Sequence, residues 1–390
     1  MDPSLALFVS IALILLLIRR INVGYAITLG ALLLGVLTIG ASTLKELVAT
    51  ATSFETLRIM GIVVSAFTLG FSMQELGLLK SLSEAVSGMV DRLSLITLPA
   101  IVGFLPMPGG ALVSAIMLTD LVKKYGTEPE KATYLNYWFR HLWVPVWPLY
   151  PSFIIAMAVV EVGYHRIIEA CYPVTVGMIL AGLPFVPRAL RVKFRFEDVR
   201  SILKSVYPLL IVVFLAIVLR IDLLVTLPIA IAILYAHKRP NGERIRRILS
   251  RTIDPKILVL VFGVMFYKNL ICVTHSAQIF FLHLRELRVP TPLASFLLAF
   301  VVGFSVGIEI SYSAIALPLL TAFTGMGSAL IPKNLMLVFG AGLLGVMLSP
   351  LHLCLILTSE YYSADMEKVY RYLVPSGLIL ATVVWTAYLL

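Results

Sequence analysis

The sequence predicts an all-α polytopic membrane protein with inverted-topology repeats, about ten transmembrane helices and two re-entrant helical hairpins. Three observations carry that expectation. Of 390 residues, 60% are hydrophobic and only 13% are Asp, Glu, Lys or Arg, against roughly 25% charged residues in a soluble globular chain. Low-charge apolar runs recur from end to end, for a mean hydropathy of +0.98, and they approach the roughly 20 residues that cross a hydrocarbon core. Finally, the tetrapeptide IVGF at 101–104 returns as VVGF at 301–304.

No polar stretch is long enough to be a soluble domain. Cys171, Cys272 and Cys354 lie far apart, which suggests neither a disulfide framework nor a metal knuckle. The first apolar run ends at Arg19-Arg20 without a small-residue cleavage site, so it reads as a retained helix rather than a signal peptide. The formal charge of +10 invites a nucleic-acid reading, but its placement argues for topology instead. Six Lys or Arg residues fall in 188–204 and six in 238–251, each group beside an apolar span. The positive-inside rule puts both groups in the cytoplasm, in contact with anionic lipid, and no nucleic-acid partner is expected.

Anchoring those loops orders the elements. Helices at 4–18, 23–39 and 57–73 precede an amphipathic stretch at 74–92 and a hairpin near 94–122. A broken crossing at 132–158 and a helix at 170–187 complete a first repeat, 1–200. The second repeat, 201–390, has helices at 205–219, 223–236 and 257–272, with Arg220 and Asp222 at the bend between the first two. An amphipathic stretch at 275–289, a hairpin near 291–325, a broken crossing at 334–358 and a helix at 370–390 follow. The two copies start on opposite sides of the membrane, with both termini outside, in the plasma membrane. Broken spans from inverted repeats meet near the midplane in many secondary transporters.

The breaks supply the candidate site. In FLPMPGG (104–110), Pro106 and Pro108 remove amide donors and Gly109-Gly110 lets backbone approach closely. The helix that follows presents free N–H groups to an anion, with the Ser114 hydroxyl one turn inward. In FSVGIEISYS (304–313), Ser305, Ser311 and Ser313 offer hydroxyls around Glu309. An ionisable group inside an apolar hairpin is costly and marks Glu309 as a proton or coupling-ion carrier. In NYWFRHLWVPVWPLYPS (136–152), Asn136 and Arg140 share a helical face, with His141 adjacent but directed elsewhere. The Arg140 fork suits a carboxylate or phosphate. Its alternatives are an ion pair with Glu309 or snorkelling towards the cytoplasm. Ser349, Pro350 and His352 occupy the matching break of the second repeat, His352 as a titratable group. Trp138, Trp143 and Trp147 read as interfacial anchors, and Lys268-Asn269 as interfacial polar residues. His165 and Glu169 lack a third ligand, so no metal site and no cofactor are expected.

The segments IVGFLPMPGGALVSAIML, NYWFRHLWVPVWPLYPS and VVGFSVGIEISYSAIALPLL resemble the prokaryotic membrane family catalogued as domain of unknown function 401, grouped with the ion-transporter superfamily. The resemblance covers essentially the whole chain. It implies a homodimer of inverted repeats, each protomer with a scaffold domain and a two-hairpin transport domain that moves in elevator fashion. Dicarboxylate carriers of that superfamily use Ser-Asn-Thr triplets at their hairpin tips. PMPGG and VGIEIS stand there in this chain, which speaks against sodium coupling and dicarboxylate specificity by the superfamily's usual means.

The expected function is therefore secondary active transport of a small anionic solute, with proton coupling through Glu309 and His352 ahead of sodium coupling. A cation/proton antiporter using Glu309 is the alternative within transport. An intramembrane enzyme, in which His141, Glu309 and His352 meet, and a non-transporting scaffold are the alternatives outside it. The chain shows no P-loop, dinucleotide fingerprint, HExxH or serine-hydrolase elbow, and it is not expected to be an enzyme.

Overall fold

The computed structural model describes residues 1–18, 20–89, 92–105, 110–186, 196–286 and 288–390. Among them the chain is helical throughout, without β-structure. It begins with α1 (Pro3–Leu17), α2 (Val23–Ile39), α3 (Ser42–Thr52), α4 (Phe54–Glu75) and α5 (Leu78–Met89). Then come α6 (Ser94–Val102), α7 (Gly110–Lys124), α8 (Pro129–Arg140), α9 (Pro151–Val160) and α10 (Tyr164–Gly182). The remainder opens with α11 (Phe196–Val212), α12 (Leu223–Lys238), α13 (Gly242–Thr252), α14 (Pro255–Thr274) and α15 (Ser276–Glu286). Next is α16 (Thr291–Val306), then a π-turn at Tyr312–Ala316 running into the short α17 (Leu317–Leu319) and α18 (Thr321–Thr324). The chain closes with α19 (Pro332–Leu348), α20 (Leu353–Tyr362) and α21 (Met366–Leu389).

Local chemistry sets many of these boundaries. Asp2, Asn22, Ser53, Asp222, Asn241, Asp254 and Asp365 each accept from an amide in the first turn of the helix they precede, which satisfies N–H groups that have no intrahelical acceptor. Left-handed residues stop others: Glu161 after α9, His275 after α14, Gly307 after α16 and Ser363 after α20.

Among the described residues, six helical stretches are long and apolar enough to cross a membrane: Phe54–Glu75, Tyr164–Phe185, Val199–Val218, Gly242–Thr274 (α13 with α14), Pro332–Tyr362 (α19 with α20) and Met366–Leu389. Leu16, Val36, Phe214 and Leu378 project outward, exposed, a periphery suited to lipid rather than water. The interior is built from helices buried all round. Every residue of 132–140 in α8, 152–160 in α9 and 334–347 in α19 is buried.

Several packings come in exchanged pairs. Helix α2 lies along α14 and α12 along α4; α1 touches α15 and α5 touches α11; α3 lies on α14 and α13 on α4. Small residues permit the closest approaches, as expected where helices pack by van der Waals contact in lipid. A Cβ on Gly24 of α2 would stand 2.7 Å from the Leu260 backbone of α14.

Two elements differ from the sequence expectation. Helix α3 falls in a stretch without an assigned helix, because STLKELVATAT is short and only moderately apolar. The basic segment at 238–251 is mostly the amphipathic α13, which turns Ile248 into α4 and pairs Arg247 with Glu75 at 3.0 Å. Residues 188–195, including Arg188, Arg191, Lys193 and Arg195, lie outside the described residues, and 196–204 is the start of α11.

Candidate functional site

The site forms where helices stop. Helix α6 ends at Val102, and α8 ends at Arg140 against it: a Cβ on Gly103 would sit 2.2 Å from the Arg140 carbonyl oxygen. Ending a helix in a low-dielectric interior leaves carbonyls that need donors. The segment between α8 and α9 supplies them. Trp143 Nε1 donates to the Ala100 carbonyl at 2.9 Å, Trp147 Nε1 to Phe104 at 2.7 Å, and the Tyr150 hydroxyl to Gly103. Trp147 is buried and Trp143 partly so, and Trp138 is buried with its Nε1 donating to the Met178 carbonyl at 2.9 Å. These tryptophans tie helices together; they are not interfacial anchors. In the second break Ser349 Oγ donates to the Phe304 carbonyl at 2.6 Å, the VVGF counterpart of Phe104.

A cavity of about 320 Å³ opens among these ends. Val63, Phe67, Leu260 and Val261 make its apolar wall, while Arg140, Glu309, His352 and Cys354 supply most of its polar chemistry. The first-turn residues of α9 (Pro151, Ser152) and α20 (Leu353, Cys354) also line it, so two helix amino termini bring partial positive charge to its edge.

Arg140 is only 3% exposed. Its position at the carboxyl end of α8 complements the helix dipole. Nη1 reaches Cys354 Sγ at 3.9 Å, Nε has no hydrogen-bond partner, and no carboxylate lies within ion-pair distance among the described residues. Neither snorkelling nor an Arg140–Glu309 pair is seen. Glu309 Oε1 instead lies 2.9 Å from His141 Nε2. His141 was expected to point away because a continuing helix would carry it off the Arg140 face. The helix stops at Arg140, and His141, the first residue of the break, turns its ring towards Glu309.

His141 Nδ1 donates to the Tyr137 carbonyl at 2.6 Å, since a carbonyl only accepts; Nε2 is therefore the atom facing Glu309. The ring centroids of His141 and His352 are 5.0 Å apart, and Tyr137 stacks edge-on to both. One ligating atom each of His141, His352 and Cys354 lies within 4.8 Å of the others, a group of donors suited to a metal ion. His141, Glu309 and His352 thus do meet.

The other sequence candidates scatter. Pro108 and Gly109 lie outside the described residues. Gly110 begins α7, and the Ser114 hydroxyl donates back to the Gly110 and Ala111 carbonyls; neither lines the cavity. Asn136 Nδ2 donates to the Ala111 carbonyl at 2.9 Å and to Thr358 Oγ1 at 3.1 Å, joining α7, α8 and α20. Ser305 sits on α16 away from the cavity lining, Ser311 donates to the Ile308 carbonyl, and the buried Ser313 hydroxyl has no partner. Ser349 caps α16, as above, and accepts from the Leu351 amide. Cys354, Tyr150 and Ser152 were missed. The signal for Cys354 was its place two residues after His352, just past a helix break; the wide spacing of the three cysteines hid it.

Lys268 is buried within the protein and donates to the Ala158 carbonyl at 2.7 Å in the last turn of α9. Asp222 caps α12 and pairs with Arg58, so the bend is held to α4 and not merely to itself.

The chain is a multi-span membrane protein with buried polar and charged residues gathered around a cavity. It finds no match among curated proteins. Residues 2–390 match the family described as "Protein of unknown function (DUF401)", and the chain belongs to that family.

Proposed function

We propose that this protein is a secondary active transporter of a small anionic solute, and that the cavity at Arg140 is its solute site. The observation that carries the reading is the uncompensated Arg140 guanidinium. A permanent charge in an apolar interior is costly unless partnered, and here no carboxylate lies within ion-pair distance among the described residues while the charge borders a cavity. The amino termini of α9 and α20 on the same cavity reinforce an anion over a cation. His141 Nε2 and Glu309 Oε1, one contact away and 2.9 Å apart, are close enough to exchange a proton, which suits proton coupling. That pair also favours the second reading, a cation/proton antiporter with Glu309 as the ion-binding carboxylate.

In this proposal the chain folds as inverted repeats, 1–200 and 201–390, related to carriers of the ion-transporter superfamily. Support comes from the matching element order and from the exchanged packings of α2 on α14 and α12 on α4. The pairs α6–α7 and α16–α18 take the place of the two re-entrant hairpins. About ten crossings, a homodimer in the plasma membrane, external termini and elevator-type alternation complete the proposal.

The test is a thermal-shift screen of small carboxylates, phosphates and inorganic cations on purified protein, followed by flux in proteoliposomes. Stabilisation by an anion, weakened in Arg140→Lys and more so in Arg140→Gln, supports the reading, because lysine keeps the charge but not the fork. Anion affinity unchanged in a folded Arg140→Gln variant defeats it. Cation-driven flux without an anion, abolished in Glu309→Gln, selects the antiporter.

A further inference from the structure

We propose that His141, His352 and Cys354 form a binding site for a zinc-class divalent transition-metal ion, with the Glu309 carboxylate beside it at His141. The inference stands on donor geometry and does not depend on the chain being a transporter.

The tautomer of His141 is the first step. Its Nδ1–H is committed to the Tyr137 carbonyl, so the neutral ring presents the Nε2 lone pair to a carboxylate oxygen 2.9 Å away. Two lone pairs do not face one another at that distance without a proton or a cation to share. Nε2 has no partner of hydrogen-bond geometry despite being buried. An imidazole whose second N–H is held by a backbone carbonyl is the usual form of a metal-binding histidine, because that bond fixes the ring and raises its basicity.

His352 is the second step. It is 3% exposed, and its Nδ1 is buried with no hydrogen-bond partner. Orphaned polar atoms on two neighbouring buried rings call for a common guest. Cys354 completes the set, its sulfur within 4.8 Å of the histidine donors. Zinc–nitrogen bonds of about 2.0–2.1 Å and zinc–sulfur bonds of about 2.3 Å put tetrahedral neighbours roughly 3.3–3.6 Å apart. The histidine and cysteine donors therefore draw in by about 1 Å on binding, and the broken segments before α9 and α20 that carry His141 and His352 are where such a shift is absorbed.

Donor type selects the metal. Two imidazoles and a thiolate suit zinc-class ions, whereas calcium and magnesium prefer all-oxygen shells. Binding releases the Cys354 proton to solvent, leaving thiolate and carboxylate to balance the divalent charge.

The experiment uses the full chain in detergent or nanodiscs, stripped with a chelator and titrated with Zn²⁺ against a competing chelator. Cobalt serves as a spectroscopic substitute. One Zn²⁺ per chain is expected, and Co²⁺ should give a thiolate-to-metal charge-transfer band. Cys354→Ser should abolish that band, and Cys354→Ser and His352→Ala should each weaken Zn²⁺ binding by roughly tenfold or more. Substoichiometric Zn²⁺, a Co²⁺ spectrum without a thiolate band in the wild type, or a band that survives Cys354→Ser overturns the assignment. The wild-type spectrum decides even if a variant fails to fold. Failure here leaves anion binding at Arg140 open, and failure of anion binding leaves the metal result standing, because the two are read by separate titrations.

Discussion

His141 Nε2 and Glu309 Oε1 face each other across 2.9 Å, one from the segment after α8 and the other from the segment after α16. They are a direct side-chain link between the two broken regions, and they leave Arg140 without a carboxylate. The pairing makes the energetics of the three residues unequal. His141→Gln and Glu309→Gln should each lower stability, and the double variant should lose less than their sum, by a coupling of roughly 0.5–3 kcal/mol. Arg140→Gln combined with Glu309→Gln should be much closer to additive. Chemical unfolding of the purified variants measures both cycles. A larger coupling for Arg140 than for His141 would mean that Arg140 is the true counter-charge.

The carbonyls that end α6 and α16 give a second test. Phe104 O depends on Trp147 Nε1 and Phe304 O on Ser349 Oγ. Trp147→Phe keeps an aromatic ring against Phe104, now 4.9 Å away edge-on, but removes the donor. Leaving a buried carbonyl unpaired costs about 1–3 kcal/mol, and Ser349→Ala should cost a similar amount. Unfolding midpoints unchanged by both substitutions would show that water reaches those carbonyls.

What the sequence made legible follows from where polarity is rare. The breaks at Gly103, His141 and Ser349 were readable because proline, glycine and charge interrupt apolar runs, and Glu309 and Arg140 stood out for the same reason. Side-chain partners were not readable. The direction of His141 depends on α8 stopping at Arg140 and not one turn later, and that stop is made by Trp143, Trp147 and Tyr150 bonding to α6, more than 40 residues earlier in the chain. Cys354 looked inert because cysteine spacing along the chain says nothing about a His141 contributed from another helix. Ser114 and Ser311 stand off the cavity lining for a local reason: a hydroxyl on a helix readily bonds a carbonyl one turn back.

Close backbone contact at Gly103 ties stability to the site. A methyl group there would meet the Arg140 carbonyl oxygen at 2.2 Å, and backbone cannot yield as a flexible side chain does. Gly103→Ala should cost roughly 1–3 kcal/mol and also shift Arg140, weakening anion stabilisation of the folded protein. Gly242→Ala is the matched control: a Cβ there meets nothing within 4 Å, and the change should stay within about 0.5 kcal/mol. Equal effects of the two would refute the close-packing account of the α6–α8 junction.

Lys268 supports the site from behind. Its Nζ lies 2.7 Å from the Ala158 carbonyl, 3.0 Å from Glu161 and 3.5 Å from Glu55. Ala158 and Glu161 are the carboxyl end of α9, whose amino end borders the cavity, so the ammonium sits at the negative pole of that helix. Glu161 and Glu55 are nearly half exposed, so on losing Lys268 they rehydrate and cost little. The Ala158 carbonyl is less easily rehydrated. Lys268→Met keeps the stem and removes the charge, and should destabilise by about 1–3 kcal/mol, the cost of an unpaired buried acceptor, rather than by the larger cost of a stranded buried charge. Glu161→Gln and Glu55→Gln should each cost less than Lys268→Met. If Glu161→Gln instead proves the most damaging of the three, the ion pair and not the carbonyl is what holds the end of α9.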